Sequence, residues 1–240
     1  MPASVTGMNP VHVSVLLRGE PESLRVWVEQ WDARRVGFCV GTIMVGSGLY
    51  GAAMGYWRAP VQALFVAIKL PLIILLTTIG NGLLNAMLAP LLGLNLSLRQ
   101  SFLAILMSFT IAATILGSFS PLAAFVVWNA PPMSADIHSA GGAYSFIQLM
   151  HVAVIAFAGL TANLRLVQLL RHLSGSAGIA RRVLLVWLAG NLFLGSQLSW
   201  ILRPFIGSPG LAVEFLRRSA LHGNFYETVF YSLLRLFQGG

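Results

Sequence analysis

Residues 60–92 read PVQALFVAIKLPLIILLTTIGNGLLNAMLAPLL, a run whose only charge is Lys69. A helix crossing a bilayer needs about 20 mainly apolar residues, so this run exceeds one crossing. Its apolar residues are continuous rather than alternating, which excludes a barrel strand and leaves the helix as the way to satisfy the backbone in lipid. The presence of Pro71 places an interfacial helix over Ala59–Lys69 and a span over Leu70–Leu92. In that register Lys69 snorkels to headgroups, and Pro71 opens the span, where a missing N–H costs least. If Pro60–Gly80 is the span instead, Lys69 lies near the bilayer centre at a cost of about 2.5–3.5 kcal/mol or more. No Asp or Glu lies within a span to pair with it.

Working outward, four more apolar runs read as spans: Val36–Tyr56, Phe102–Trp128, Tyr144–Leu164 and Val183–Leu202. The expected fold is all-α, a polytopic helical membrane protein with about five transmembrane helices and amphipathic interfacial helices at both ends. Composition agrees: the 240 residues are 57% hydrophobic and 9% charged, with a mean hydropathy of +0.79. Soluble domains are about one-quarter charged, so a soluble enzyme is excluded. Disorder requires the opposite composition. Three regions follow: a cytoplasmic N-terminal segment over 1–35, a helical bundle over 36–202 and a membrane-face cap over 203–240.

With the run 60–92 divided at Pro71, the charges sit outside the five expected spans. Residues 36–164 hold only Arg58, Lys69, Arg99 and Asp136, and residues 165–240 hold eight Arg against Glu214 and Glu227. Arginines that flank apolar runs point to membrane lipids as the acidic partner, not to nucleic acid. Arg34, Arg35, Arg99, Arg165, Arg171, Arg181 and Arg182 fall on one side of a five-span scheme, which puts the N-terminus in the cytoplasm. The same scheme sends Arg203, Arg217, Arg218 and Arg235 outside, against that rule. No signal-peptide pattern is read in residues 1–30, where Val11–Leu17 is short and acidic residues follow it.

Two amphipathic pieces lie outside the spans. Leu24, Trp27, Val28 and Trp31 share a face at helical spacing. Asn224 followed by Glu227 reads as a helix cap before Phe225, Val229 and Leu233. Each suits either membrane-surface anchoring or docking on a partner subunit. Arg203, before Pro204, reads as a charge favoured at a helix C-terminus or as an anchor for lipid phosphate or a partner carboxylate, with Glu214 and Glu227 as partners within the chain.

Within the spans, Gly37/Gly41 and Gly51/Gly55 form two Gly-x-x-x-Gly spacings that suit close helix packing, within the chain or with another subunit. Polar stripes recur four residues apart: Thr77, Asn81 and Asn85; Thr110, Thr114 and Ser118; Asn191, Gly195 and Ser199. His151 stands in span four, either as a hydrogen-bonded packing residue or as a proton carrier. Asn81, Asn85, His151 and Asn191 are the candidates for a polar path; interhelical hydrogen bonding is the plainer reading. Cys39, the only cysteine, reads as a buried inert thiol. With five scattered His and no CxxC or HExxH spacing, no metal site is expected. No cofactor is expected either, and the absence of a carboxylate pair or GxSxG elbow argues against an enzyme.

The series Lys69-Leu70-Pro71, Leu96-Ser97-Leu98-Arg99-Gln100, Gln197 through Pro209 and Gly223-Asn224-Phe225-Tyr226-Glu227 resembles uncharacterised bacterial polytopic membrane proteins. A weaker similarity, one of topology, is to the Yip-domain family, which also has five spans and a cytoplasmic N-terminus. The resemblance implies a bacterial inner-membrane location and carries no activity. The function expected is a non-catalytic integral membrane subunit that packs with other membrane proteins. The alternative is a channel or transporter-like conduit for a small solute, ion or lipid.

Overall fold

The structure, a computed structural model, describes residues 27–28, 32–132, 137–207 and 212–227. It contains α1 (Ala33–Tyr56), α2 (Pro60–Leu91), α3 (Leu98–Asn129), α4 (Ile137–Ser174) and α5 (Ala177–Leu202). There is no strand among the described residues. All five helices are long and apolar enough to cross a membrane, and the protein is an all-α, multi-pass membrane protein.

Local chemistry sets where each helix begins. The Asp32 side chain accepts from the Arg34 backbone N–H at 2.9 Å and starts α1. Pro60 occupies the first turn of α2, where its lack of an N–H is harmless. Ser97 and Gln100 form a reciprocal capping box at the start of α3, and Ser176 caps α5 through the Ile179 N–H. Gly93, at φ +90°, and Gly175, at φ +63°, supply the left-handed backbone that turns the chain after α2 and α4.

The helices α2, α3, α4 and α5 each pack on the next, and α5 closes back on α2, so the four form a ring. The first helix lies in the cleft between α2 and α3. The third helix is the most enclosed, with Ala104, Ile105, Leu106, Met107 and Ile111 in the core. Large apolar side chains such as Leu83, Met87, Leu91, Phe125, Leu149, Leu160 and Leu192 point outward. So much exposed apolar surface is untenable in water and is what lipid requires.

The second helix corrects the sequence reading. Residues 60–91 form one unbroken helix with Pro71 inside it, not an interfacial helix followed by a span. The length is about 48 Å at 1.5 Å per residue, against a hydrocarbon core of about 30 Å. Pro71 removes the N–H that would bond the Ala67 carbonyl. At that turn α1 comes close: a Cβ placed on Gly48 would lie 3.3 Å from the Ala67 oxygen and 3.8 Å from the Pro71 ring. The backbone of α1 thus packs closely over the turn at which Pro71 interrupts the hydrogen-bond ladder, and shields it from lipid.

Trp27 and Val28 are helical and buried in the main core cluster rather than facing lipid. The rest of the first amphipathic piece lies outside the described residues, as do the positions of the second beyond Glu227.

Candidate functional site

The glycines of α1 divide into two sets. A Cβ on Gly51 would lie 2.5 Å from the Val66 oxygen, and one on Gly55 would lie 2.6 Å from the Gln62 oxygen. A Cβ on Gly46 or on Gly117 would clash across the α1–α3 contact, against Ala113 and against Gly46 respectively. At these positions α1 touches α2 and α3 backbone to backbone, which only glycine permits. Gly37 and Gly41 differ: a Cβ on either meets nothing within 4 Å among the described residues. Of the two packing alternatives, packing within the chain holds for Gly51 and Gly55, while no described residue packs on Gly37 or Gly41.

Beside Gly37 and Gly41 lies a groove of about 510 Å³ between α1 and α3. Gly37, Gly41 and Gly46 form one wall with Thr42 and Val45, and Thr114, Gly117 and Ser118 form the other. Its surface is nearly all apolar, because the hydroxyls are turned to their own helices. Thr42 donates to the Phe38 carbonyl at 2.9 Å, Thr114 to the Thr110 carbonyl at 2.9 Å and Ser118 to the Thr114 carbonyl at 2.9 Å. Such a surface suits a helix or an acyl chain, not a hydrated solute.

The α2–α5 contact holds the polar stripe. Asn85 Nδ2 donates to Asn81 Oδ1 at 2.8 Å, and Asn81 Nδ2 donates to Asn191 Oδ1 at 2.5 Å and to the Trp187 carbonyl at 3.2 Å. Gly190 makes the room, since a Cβ there would fall on Asn81 Oδ1. The structure thus brings together Asn81, Asn85 and Asn191, three of the four path candidates. His151 stands apart on α4. Its Nδ1 lies 2.8 Å from Tyr50 Oη, with the rings edge to face at 5.4 Å.

The buried lysine lies where the chain after α5 crosses α2. Lys69 is fully buried, and its Nζ donates to the Pro204 carbonyl at 3.2 Å. Gln62, two turns earlier on the same face, donates through Nε2 to the carbonyls of Pro204 and Phe205, each at 2.9 Å. Lys69 Nζ also lies 5.3 Å from the centre of the Phe215 ring, and Phe215 packs edge-on to Phe65. The expected snorkelling to lipid headgroups is therefore corrected: Lys69 grips a segment of its own chain. The sequence held a signal for Gln62, since positions seven apart on a helix share a face.

Arg203 caps its own helix. Its Nη1 donates to the Trp200 carbonyl at 3.0 Å, and its guanidinium stacks on the Trp200 indole with the central carbon 3.2 Å from the ring centre. Burial, then the nearby charge of Arg217, pulls its pKa below the ordinary arginine value. Neither Glu214 nor Glu227 forms an ion pair with Arg203 among the described residues, which corrects that expected pairing. Glu227 is instead part of a local cap: its backbone N–H donates to Asn224 Oδ1 at 2.8 Å. Next to it, Tyr226 stacks on Phe193 at 5.6 Å and hydrogen-bonds Ser196 at 2.8 Å, tying the segment to α5.

Cys39 is a buried free thiol, and no group of three or more His, Cys, Asp or Glu could hold a metal among the described residues. No protein-family model matches the chain, and neither a curated protein nor a solved structure matches it.

Proposed function

We propose that this protein is a non-catalytic membrane subunit that packs against another membrane protein through the groove between α1 and α3. One observation carries the reading: among the described residues, Gly46, Gly48, Gly51 and Gly55 of α1 are covered by α2 or α3, while nothing covers Gly37 and Gly41. Glycine in a helix interior costs about 0.5–1 kcal/mol relative to alanine. Where a backbone is covered, close packing offsets that cost. At Gly37 and Gly41 no described helix of this chain supplies that offset, and a helix of another membrane protein would. A bacterial inner-membrane location with the N-terminus in the cytoplasm accords with this role. It is supported by the arginines that border α1, the α2–α3 turn and the α4–α5 turn on the N-terminal side.

The conduit reading has less support. Both polar atoms of Asn81 are used, on Asn85, Asn191 and the Trp187 carbonyl, and the stripe hydroxyls of Thr110, Thr114 and Ser118 are spent on their own helix. That leaves Asn85 Oδ1 as the one buried asparagine oxygen of the stripe without a partner among the described residues.

The test is photocrosslinking from Val45, an exposed residue of the groove. A photoreactive residue at Val45 should capture a discrete membrane-protein partner in cells, whereas the same residue at Leu192, on the opposite α5 surface, should not. Equal capture of lipid alone from both positions would remove the reading.

A further inference from the structure

The end of the bundle where α5 finishes has more hydrogen-bond donors and positive charge than it has acceptors. Lys69 is fully buried and uses one of its three N–H groups, on the Pro204 carbonyl. Arg203 uses one of its five N–H groups, on the Trp200 carbonyl. Trp200 Nε1, on the indole beneath that guanidinium, is buried without a hydrogen-bond partner among the described residues. Phe215, two residues before Arg217, has its ring centre 5.3 Å from Lys69 Nζ and packs edge-on to Phe65, which brings the Arg217 segment to the same end of α2. The charge of Arg217 is felt at both Lys69 and Arg203. None of the three cations bonds a carboxylate among the described residues, and Glu214, three residues before Arg217, pairs with none of them.

Three like charges gathered at low dielectric repel one another. An ionisable group within a membrane helix is the default marker of a functional site. Lys69 is nine residues into a helix of about 48 Å. That places it about 10 Å from the helix midpoint, toward the end of the bundle at which α5 finishes. Arg203 and Arg217 follow the end of α5 on the same side, half-exposed at the mouth of the cluster. Guanidinium pairs bidentately with phosphate oxygens, and a buried ammonium beneath them adds attraction without needing direct contact.

We propose that Lys69, Arg203 and Arg217 form a binding site for an anionic phosphate group, with Arg203 and Arg217 touching the oxygens and Lys69 supplying the field beneath them. The site is separate from the α1–α3 groove and does not depend on it. The phosphate belongs to an anionic lipid headgroup or to a soluble phosphate, and the same experiment separates the two.

The full-length protein, stripped of lipid in a neutral detergent, is titrated with dioleoylphosphatidylglycerol, with net-neutral dioleoylphosphatidylcholine and with inorganic phosphate. The thermal midpoint is the readout, since a ligand of the folded state raises it. Phosphatidylglycerol should raise the midpoint saturably and phosphatidylcholine should not. Arg217→Gln should weaken the half-saturating concentration about tenfold or more, the loss of one charge-assisted contact, and Arg217→Lys should restore part of it. Lys69→Gln should weaken binding as well; because Lys69 is buried and that variant risks misfolding, the half-exposed Arg217 decides. Saturation by inorganic phosphate, weakened in the same way by Arg217→Gln, would assign the site to a soluble phosphate. If neither phosphatidylglycerol nor inorganic phosphate stabilises more than phosphatidylcholine, or if Arg217→Gln binds like the wild type, the site does not exist.

Discussion

At Gly190 the absence of a side chain decides an interhelical contact. A Cβ there would collide with Asn81 Oδ1, the atom that accepts from Asn85. Gly190→Ala should therefore force Asn81 aside and cost about 1–3 kcal/mol, as overpacking does, measured by thermal unfolding in detergent. Replacing Asn81 as well, in Asn81→Ala/Gly190→Ala, should cost less than the sum of the two single changes, because they share one contact. Additive losses would show that the network is not coupled through Gly190. The asparagines themselves were legible in the sequence as stripes four residues apart. Gly190 was not, because nothing in a glycine's own sequence context says which neighbour needs its space. Lys69 illustrates the same limit. Its isolation from any acid was plain in the sequence, but the carbonyl that holds it is 135 positions away, and only the path of the chain after α5 reveals it.

At the scale of a helix, α1 carries two identical spacings with opposite surroundings. Gly51 and Gly55 press on the carbonyls of Val66 and Gln62, and Gly37 and Gly41 face the groove. Alanine at Gly51 and Gly55 should lower the thermal midpoint in detergent. Alanine at Gly37 and Gly41 should leave it unchanged or raise it, since alanine is the better helix former by about 0.8–1 kcal/mol per site. Equal losses from both pairs would mean that the groove is closed in the folded protein. The spacing alone showed that α1 is built for close approach; it could not show which face is already covered, because Gly-x-x-x-Gly reads the same against any partner. Both ends of α1 and α3 were legible to within four residues, whereas α5 begins six residues before its expected start. The fourth helix extends seven residues before and ten beyond the expected 144–164, because its flanks are too polar to count as apolar run yet remain helical. The second helix was misread because Pro71 resembles a helix start, while the structure keeps the helix intact, with Gly48 packed against that turn.

For the whole molecule, five crossings leave the N-terminal end of α4 and the α4–α5 turn on opposite sides of the membrane. With Cys39 replaced by serine, single cysteines at Ser139 and Ser176 should be modified by an impermeant maleimide from opposite sides of sealed vesicles; labelling from the same side would contradict the five-span order. That order also brings Arg58 and Lys69 to the end of the bundle that carries Arg203 and Arg217, the last two of which the charge pattern alone presented as a conflict with the positive-inside rule. The central claim is that the open glycine face of α1 belongs to a partner, and it is tested most directly by affinity purification in mild detergent of the wild type beside Gly37→Leu/Gly41→Leu. The wild type should carry a stoichiometric membrane-protein partner, and the variant should keep its thermal midpoint but lose that partner. A wild type that emerges alone, or a variant that retains the partner in full, would contradict the claim.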